Sequence, residues 1–229
     1  MITKHKTFFI QLFVLALLFS SFSMAHAAGL KLCPAMTPED LLNASKKYSY
    51  QAQLTGDDRQ KSQLALDGVA CAEACLAKEP NNVGCLYYRA VNLGLELDTH
   101  FVPSKADLQK MVGDFKRVLE LDGSYDKGGA YQALGYVYLL VPPLPVLGAD
   151  LQRDLDKAAN YARQAINIAP KEPENLKLAG DIFLKRKNYT EAAKYFTDAL
   201  KFSEMITNPD VIQLRTRQEI KKQLQKSQK

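Results

Sequence analysis

Apolar side chains recur at every third or fourth position along most of the chain, which is the spacing of one buried face of an α-helix. The clearest stretch spans residues 128–170. Its first part carries Tyr131, Leu134 and Tyr138 around Gly135, all at helical spacing. No stretch shows the strict apolar–polar alternation of a half-buried strand. The pattern therefore predicts an all-α fold.

Small residues recur at a fixed distance in the second half of the chain. Ala158 and Ala192 are 34 positions apart, and so are Ala165 and Ala199. This is the period of the tetratricopeptide repeat (TPR), in which two antiparallel helices pack face to face. Because glycine and alanine have almost no side chain, we expect the helix backbones of one repeat to approach closely at Gly135 and Ala158. The predicted architecture is a short solenoid of stacked helical hairpins.

Capping residues divide the rest of the chain into helices. Thr37, followed by Pro38 and two acidic residues, begins a helix that should end near Leu54. Further helices are expected over about 58–77, 83–97 and 104–121 and, in the most regular repeat, on either side of Asn188. The last helix should begin after the cap Asn208, reach about residue 225 and cover the exposed face of the final repeat.

The first residues have the pattern of a cleavable signal peptide. Two lysines precede an apolar run, 8–22, and small residues follow it. We therefore predict a signal peptide over 1–27, a helical-repeat domain over 28–229, and export to the periplasm; an uncleaved membrane anchor is the alternative. The charged and bulky residues just before Cys33 disfavour lipidation, so no lipoprotein anchor is expected.

All four cysteines follow the predicted cleavage site; they are Cys33, Cys71, Cys75 and Cys85. In an oxidising compartment an even number favours disulfides. Cys71 and Cys75 lie one helical turn apart, so a bond between them would strain the helix. We favour the pairs Cys75–Cys85, across a helix turn, and Cys33–Cys71, which would tie down the N-terminal segment. A metal site is the alternative, although no histidine lies near these cysteines.

Few residues of this chain point to chemistry. A formal net charge of +5, together with export, gives no reason to expect a nucleic-acid partner. His100 is the one histidine beyond the predicted signal peptide, and no nucleophile, phosphate-binding or dinucleotide motif accompanies it. We read His100 as a surface-loop residue. We expect a non-enzymatic protein with no cofactor and no catalytic metal.

One helix cannot point all of its sides into the core. If Tyr131 and Tyr138 face the partner helix of their repeat, other positions of the same helix should line the concave groove of the stack. The same offset in the neighbouring hairpins extends this set. The predicted groove residues are Tyr87, Val91, Gln132, Tyr136, Leu139, Lys177 and Asp181. Ordinary packing between neighbouring repeats is the alternative for these positions.

The segment from Val141 to Gly148 is apolar and stiff, since its three prolines fix the backbone and lack amide donors. One interpretation is a rigid connector between two helices. The other is one wall of a binding pocket or a contact for a partner. The residues assigned to this second role are Pro142, Pro143, Leu144, Pro145 and Leu147.

Taken together, these motifs resemble those of a known family. They run in the order Gly128-Gly129, Leu134-Gly135-x-x-Tyr138, Pro142-Pro143, Leu147-Gly148-Ala149-Asp150, Lys157-Ala158 and Ala165 to Pro170. This order resembles the T component of tripartite ATP-independent periplasmic (TRAP) transporters, over roughly residues 70–202. The resemblance implies an all-helical periplasmic protein that binds the solute-binding protein of a TRAP system. It also implies a trimer with an apolar cavity for a hydrophobic small ligand. The alternative is a generic periplasmic TPR scaffold for the assembly of envelope proteins.

Overall fold

The computed structural model describes residues 36–142 and 144–228. Within these ranges the chain forms nine α-helices and no strand, which confirms the all-α prediction. The helices are α1 Pro38–Leu54, α2 Asp58–Lys78, α3 Val83–Leu97, α4 Lys105–Asp122, α5 Tyr125–Leu140, α6 Leu155–Ile168, α7 Pro173–Lys185, α8 Tyr189–Glu204 and α9 Val211–Ser227. The predicted signal peptide, Cys33 and Pro143 lie outside the described residues. None of the described helices is long and apolar enough to cross a membrane.

The helices pair in chain order. Helices α1 and α2, α3 and α4, α5 and α6, and α7 and α8 form successive hairpins, and each hairpin packs on the next. The first helices of neighbouring hairpins also touch, α1 against α3 and α5 against α7. Helix α9 packs on α8, so it covers the last hairpin as the sequence predicted.

The small residues that set the 34-residue period are buried in the hairpins. Ala158, Ala165, Ala192 and Ala199 each have no exposed surface. Phe196 packs in the last hairpin beside Ala192 and Ala199, and it is also fully buried. The 34-residue recurrence of alanine therefore has a packing reason, since a side chain larger than a methyl group does not fit where two helices cross this closely.

Gly135 has a contact that its sequence pattern did not predict. A Cβ atom at Gly135 would lie 2.5 Å from Cδ2 of Leu178 in α7, so the glycine makes room for the next hairpin. Within a hairpin the corresponding space is made by Gly180, whose added Cβ would lie 2.6 to 2.9 Å from the ring of Phe196. Small residues therefore serve both contacts, inside hairpins and between them.

Most helix ends follow the capping signals. Thr37 accepts a hydrogen bond from the Asp40 amide at 3.1 Å, while the Asp40 carboxylate accepts one from the Thr37 amide at 3.3 Å. The predicted N-terminal cap of the last helix was wrong by two residues. Asn208 adopts a left-handed backbone with φ of 55°, and Asp210 is the cap, accepting from the Gln213 amide at 2.9 Å. The carboxylate of Asp210 forms a reciprocal box with Gln213, which outcompetes the single amide cap available earlier.

The proline segment is held between α5 and α6 by its leucines. Leu147 and Leu151 are buried in the main core, and Leu144 packs against its edge. The amide of Asp154 donates to the Tyr138 carbonyl at 2.9 Å and brings the chain back to the end of α5. The segment is thus a connector whose leucines lie in the core or at its edge.

The predicted Cys75–Cys85 disulfide is present and joins the end of α2 to the start of α3. Cys71, one turn before Cys75, is buried in the same core. Its predicted partner Cys33 lies outside the described residues, so the second pair stays a prediction.

Candidate functional site

A groove of about 680 Å³ runs along the first helices of the stack. Helices α1, α3, α4 and α5 supply its walls and floor, and α7 and α9 each contribute one residue at its border. A cavity of this size is typical of small-molecule sites, which span roughly 300–1,000 Å³. The groove is therefore the candidate site of this protein.

The floor of the groove is apolar and belongs to the main core. It is formed by buried side chains from α3 and α4, together with the last turn of α5. These are Ala90, Leu97, Leu108, Met111, Phe115, Val137 and Val141. A ligand lying on this floor would remove its own apolar surface from water at about 25 cal/mol per Å².

Tyrosines form one end of the groove. The ring of Tyr87 meets those of Tyr88 and Tyr125 edge-on, with centroids 5.2 and 5.3 Å away, and it also packs on Phe115. Burial, followed by the Coulombic effect and hydrogen bond of Asp126, raises the pKa of Tyr87 well above its usual value. Burial and then Asp126 raise the pKa of Tyr88 in the same direction. These hydroxyls therefore stay protonated at neutral pH and can donate hydrogen bonds, while the ring faces are electron-rich in either state.

Two carboxylates stand beside these tyrosines. Asp126 begins a run of three residues with positive φ, continued by Lys127 and Gly128, and this turn brings its side chain to the groove. Glu174, in the first turn of α7, accepts hydrogen bonds from Gln132 at 3.3 Å and from Thr216 at 3.2 Å. Non-glycine residues rarely adopt positive φ, so the turn at Asp126 is held against a local cost of about 1 kcal/mol or more.

A half-buried polar network lies beside the groove. The Lys177 ammonium donates to the Asp181 carboxylate at 2.9 Å and to the Tyr136 hydroxyl at 3.2 Å, and that hydroxyl donates to Asp181 at 3.2 Å. Burial opposes the charge on Lys177, but Tyr136 and Asp181 outweigh it and raise the pKa of the lysine. The network links α5 to α7 and is satisfied internally.

Helix α9 joins the two ends of the stack. Ile212 lies at the border of the groove, and Ile220 is buried against α8. The guanidinium of Arg215 donates to the Gln53 and Leu54 carbonyls at the end of α1, at 2.6 and 3.2 Å. The last helix therefore reaches back to the first.

The predicted groove residues divide into three groups. Tyr87, Val91, Gln132, Tyr136 and Pro142 line the groove, and Lys177 and Asp181 form the adjoining polar network. By contrast, Leu139 is buried among the side chains of the α5–α6 and α6–α7 contacts, and Leu147 lies in the main core. Pro145 is exposed and Leu144 half-buried, and neither lines the groove. Helix α5 is buried on more than one side because it packs on both α6 and α7, so Leu139 has the alternative role, ordinary packing between repeats.

Sequence reasoning missed much of the groove wall. The missed residues include Lys46 and Tyr50 of α1, Phe101 of the loop between α3 and α4, Met111 and Phe115 of α4, and Asp126, Glu174 and Ile212. Met111 and Phe115 were read as buried residues, which they are, and their second role at the groove floor has no separate sequence signal. The fully exposed Phe101 is the one residue whose chemistry could have drawn attention.

The histidine of the groove makes a local contact. Nε2 of His100 lies 2.5 Å from Oε1 of Glu96, one helical turn earlier. Within residues 36–142 and 144–228, no group of three or more histidine, cysteine or acidic side chains could hold a metal ion.

The stacked hairpins of this chain form a tetratricopeptide-repeat fold. Among solved structures, the chain is similar to a thermophilic TPR protein from Thermus thermophilus, with a TM-score of 0.59 over 94% of this chain and 95% of that chain. The two sequences are 19% identical, so the similarity concerns the fold. No protein-family model and no curated protein sequence matches the chain.

Proposed function

We propose that this protein is an exported, non-enzymatic binding protein that holds an apolar ligand in its groove. The observation that carries the proposal is the apolar floor of a groove of about 680 Å³, bordered by a helix that returns from the far end of the stack. Ligand sites of proteins combine such a floor with a few polar groups that fix orientation.

The more specific form of the proposal is an accessory T component of a TRAP-type transporter in the periplasm. The proline segment followed by Leu147-Gly148 resembles that family, and the apolar groove agrees with the hydrophobic ligand that the resemblance implies. In this form the protein binds a periplasmic solute-binding protein and assembles as a trimer.

Native mass spectrometry of protein purified from its own envelope tests the ligand and the oligomer together. We expect a trimer that retains an apolar molecule. Replacement Ala133→Phe, which fills the groove, should abolish retention, whereas Ala106→Phe, at an exposed position outside the groove, should not. A protein that carries no ligand before extraction with organic solvent contradicts the proposal. Co-purification of a solute-binding protein tests the transporter assignment separately.

A second candidate function is a scaffold that assembles envelope proteins. The supporting observation is a set of exposed apolar side chains around the groove, with Phe101 fully exposed, Leu140 64% and Val102 51% exposed. Exposed apolar patches mark protein contacts. Under this alternative, Val102→Ser, which lies outside the groove lining, should abolish partner co-purification without affecting any retained ligand, while a groove-filling replacement should leave the partner bound.

A further inference from the structure

The charges of the groove are not balanced. Three carboxylates, those of Asp98, Asp126 and Glu174, line it together with the ammonium of Lys46. Asp98 pairs with Lys61 on the neighbouring helix. The chain as a whole carries a formal charge of +5, so the groove is acidic in an otherwise basic protein.

Neither of the remaining two carboxylates forms an ion pair in the described part of the chain, and both interact with the Lys127 ammonium only at longer range. Lys127, adjacent to Asp126, pairs with Glu172 at 2.6 Å. Lys177, one turn after Glu174, pairs with Asp181 at 2.9 Å and Glu219 at 3.5 Å. Among residues 36–142 and 144–228, Glu174 receives hydrogen bonds from one amide and one hydroxyl, both neutral. Glu174 is half-buried and Asp126 is exposed, and carboxylates without an ion pair favour a cation that arrives with a ligand.

The rings around them fit the same kind of group. Tyr87, Tyr88 and Tyr136 line the groove near these carboxylates. Two of the rings already bind cations of the chain, since Lys46 lies 5.9 Å from the Tyr88 centroid and Lys177 lies 5.4 Å from that of Tyr136. Electron-rich rings beside carboxylates are the arrangement that holds organic ammonium groups.

We infer that the groove binds an amphiphile with a cationic head, its ammonium group at the tyrosine end beside Asp126 and Glu174 and its apolar body on the floor formed by α3 and α4. The inference rests on the proposed apolar-ligand function and specifies the chemical class of that ligand. The three carboxylates set against the ammonium groups of Lys46 and Lys61 leave one negative charge, which a single protonated amine or quaternary ammonium balances. The cavity of about 680 Å³ has room for such a head group and a chain of about ten carbons.

The experiment uses three probes that share a decyl chain and differ in head group. Decyltrimethylammonium, decyl maltoside and decanoate are titrated into the full mature protein by isothermal calorimetry, below the concentration at which each forms micelles. We expect the cationic probe to bind about tenfold more tightly than the neutral one and the anionic probe to bind most weakly. Glu174→Gln and Asp126→Asn should each lower the affinity for the cationic probe about fivefold and leave the affinity for the neutral probe unchanged. Glu39→Gln, at an exposed carboxylate of α1 outside the groove, is the matched control.

The possible results separate the inference from the function on which it rests. Equal affinity for the three probes would overturn the inference of a cationic ligand but would leave the proposed apolar site intact. No binding of any probe overturns both. If a replacement unfolds the protein, the unmodified protein still tests the inference. Added salt should lower its affinity for the cationic probe and leave its affinity for the neutral probe unchanged. An affinity for the cationic probe that salt leaves unchanged counts against the inference.

Discussion

The guanidinium of Arg215 donates a hydrogen bond to the backbone carbonyl of Gln53 across 162 positions of sequence. A second nitrogen of the same side chain donates to the Leu54 carbonyl. The final carbonyls of a helix have no partner within the helix, and α1 has no basic residue in its own last turn. A residue from the far end of the chain therefore supplies the cap.

Removing this cap should loosen the end of α1. Arg215→Ala is expected to lower the free energy of unfolding by about 0.5–1 kcal/mol, because the arginine is exposed and water replaces part of the interaction. Hydrogen exchange should accelerate in the last turn of α1 more than elsewhere. Lys222→Ala, also exposed on α9, is the control and should change neither quantity. Unchanged exchange at the end of α1 in the Arg215 variant would show that the contact does not hold this helix.

Replacing glycine with alanine should have opposite effects on stability at two helical positions. At Gly180 a methyl group would press against the buried ring of Phe196, so Gly180→Ala should destabilise the protein by about 1–3 kcal/mol. At Gly113, in the interior of α4, an added Cβ meets no atom within 4 Å. Gly113→Ala should stabilise the protein by about 0.5–1 kcal/mol, because alanine favours the helix.

Urea unfolding of both glycine variants measures this contrast. The double variant Gly180→Ala with Phe196→Leu should recover part of the loss, since the smaller side chain vacates the space. A stable Gly180→Ala protein would mean that the two helices of the last hairpin separate at little cost, contrary to their close packing.

The Cys75–Cys85 disulfide closes a loop of 10 residues. Replacing both cysteines with alanine should lower the free energy of unfolding by about 2–3 kcal/mol, chiefly because the unfolded chain regains freedom. Denaturant titrations with and without reductant provide the measurement. The double variant should lose any response to reductant that comes from this bond. If reductant destabilises the variant as much as the parent protein, the Cys75–Cys85 bond is not the source of the reductant-sensitive stability.

Stability should fall at alkaline pH. Burial raises the pKa of Tyr87 and of Tyr136 in the folded protein. Burial opposes the charge on Lys177, but Tyr136 and Asp181 outweigh it and the pKa of the lysine is raised as well. A raised folded pKa contributes stability that is complete below the unfolded pKa, about pH 10 for tyrosine and slightly higher for lysine. That stability is lost as pH rises through the folded values.

Tyrosinate absorbance and urea unfolding, both followed from neutral to strongly alkaline pH, check this dependence. Some tyrosines of the folded protein should ionise only as it unfolds, and Tyr87→Phe should flatten the fall in stability above about pH 10. Ionisation of every tyrosine near pH 10 with the fold intact would refute the prediction.

The fold could be read from the sequence because its rules are local. The spacing of Ala158 and Ala192 marks positions where no larger side chain fits, and the structure buries both completely. Capping at Thr37 depends on residues within one turn, and it too is observed. Which neighbour a small residue touches is not local information. Gly135 has the same sequence pattern whether it faces α6 or, as observed, Leu178 of α7.

The groove could be predicted only in part, for the same reason. Tyr136 and Gln132 follow from the face of one helix, and both line the groove. Leu139 lies on that helix as well, but its surroundings are set by a hairpin that comes later in the chain. The contact of Arg215 with Gln53 has no sequence signal, since any exposed arginine of α9 has the same local pattern. Residues of α1 and α9 therefore join the site only once the stack is built.

An open solenoid can gain or lose a repeat without disturbing its ends, since each unit meets only its neighbours. The contact between Arg215 and the last turn of α1 adds a constraint here. A hairpin inserted between α4 and α7 would carry α9 out of reach of α1, so lengthening this stack would cost the first helix its cap.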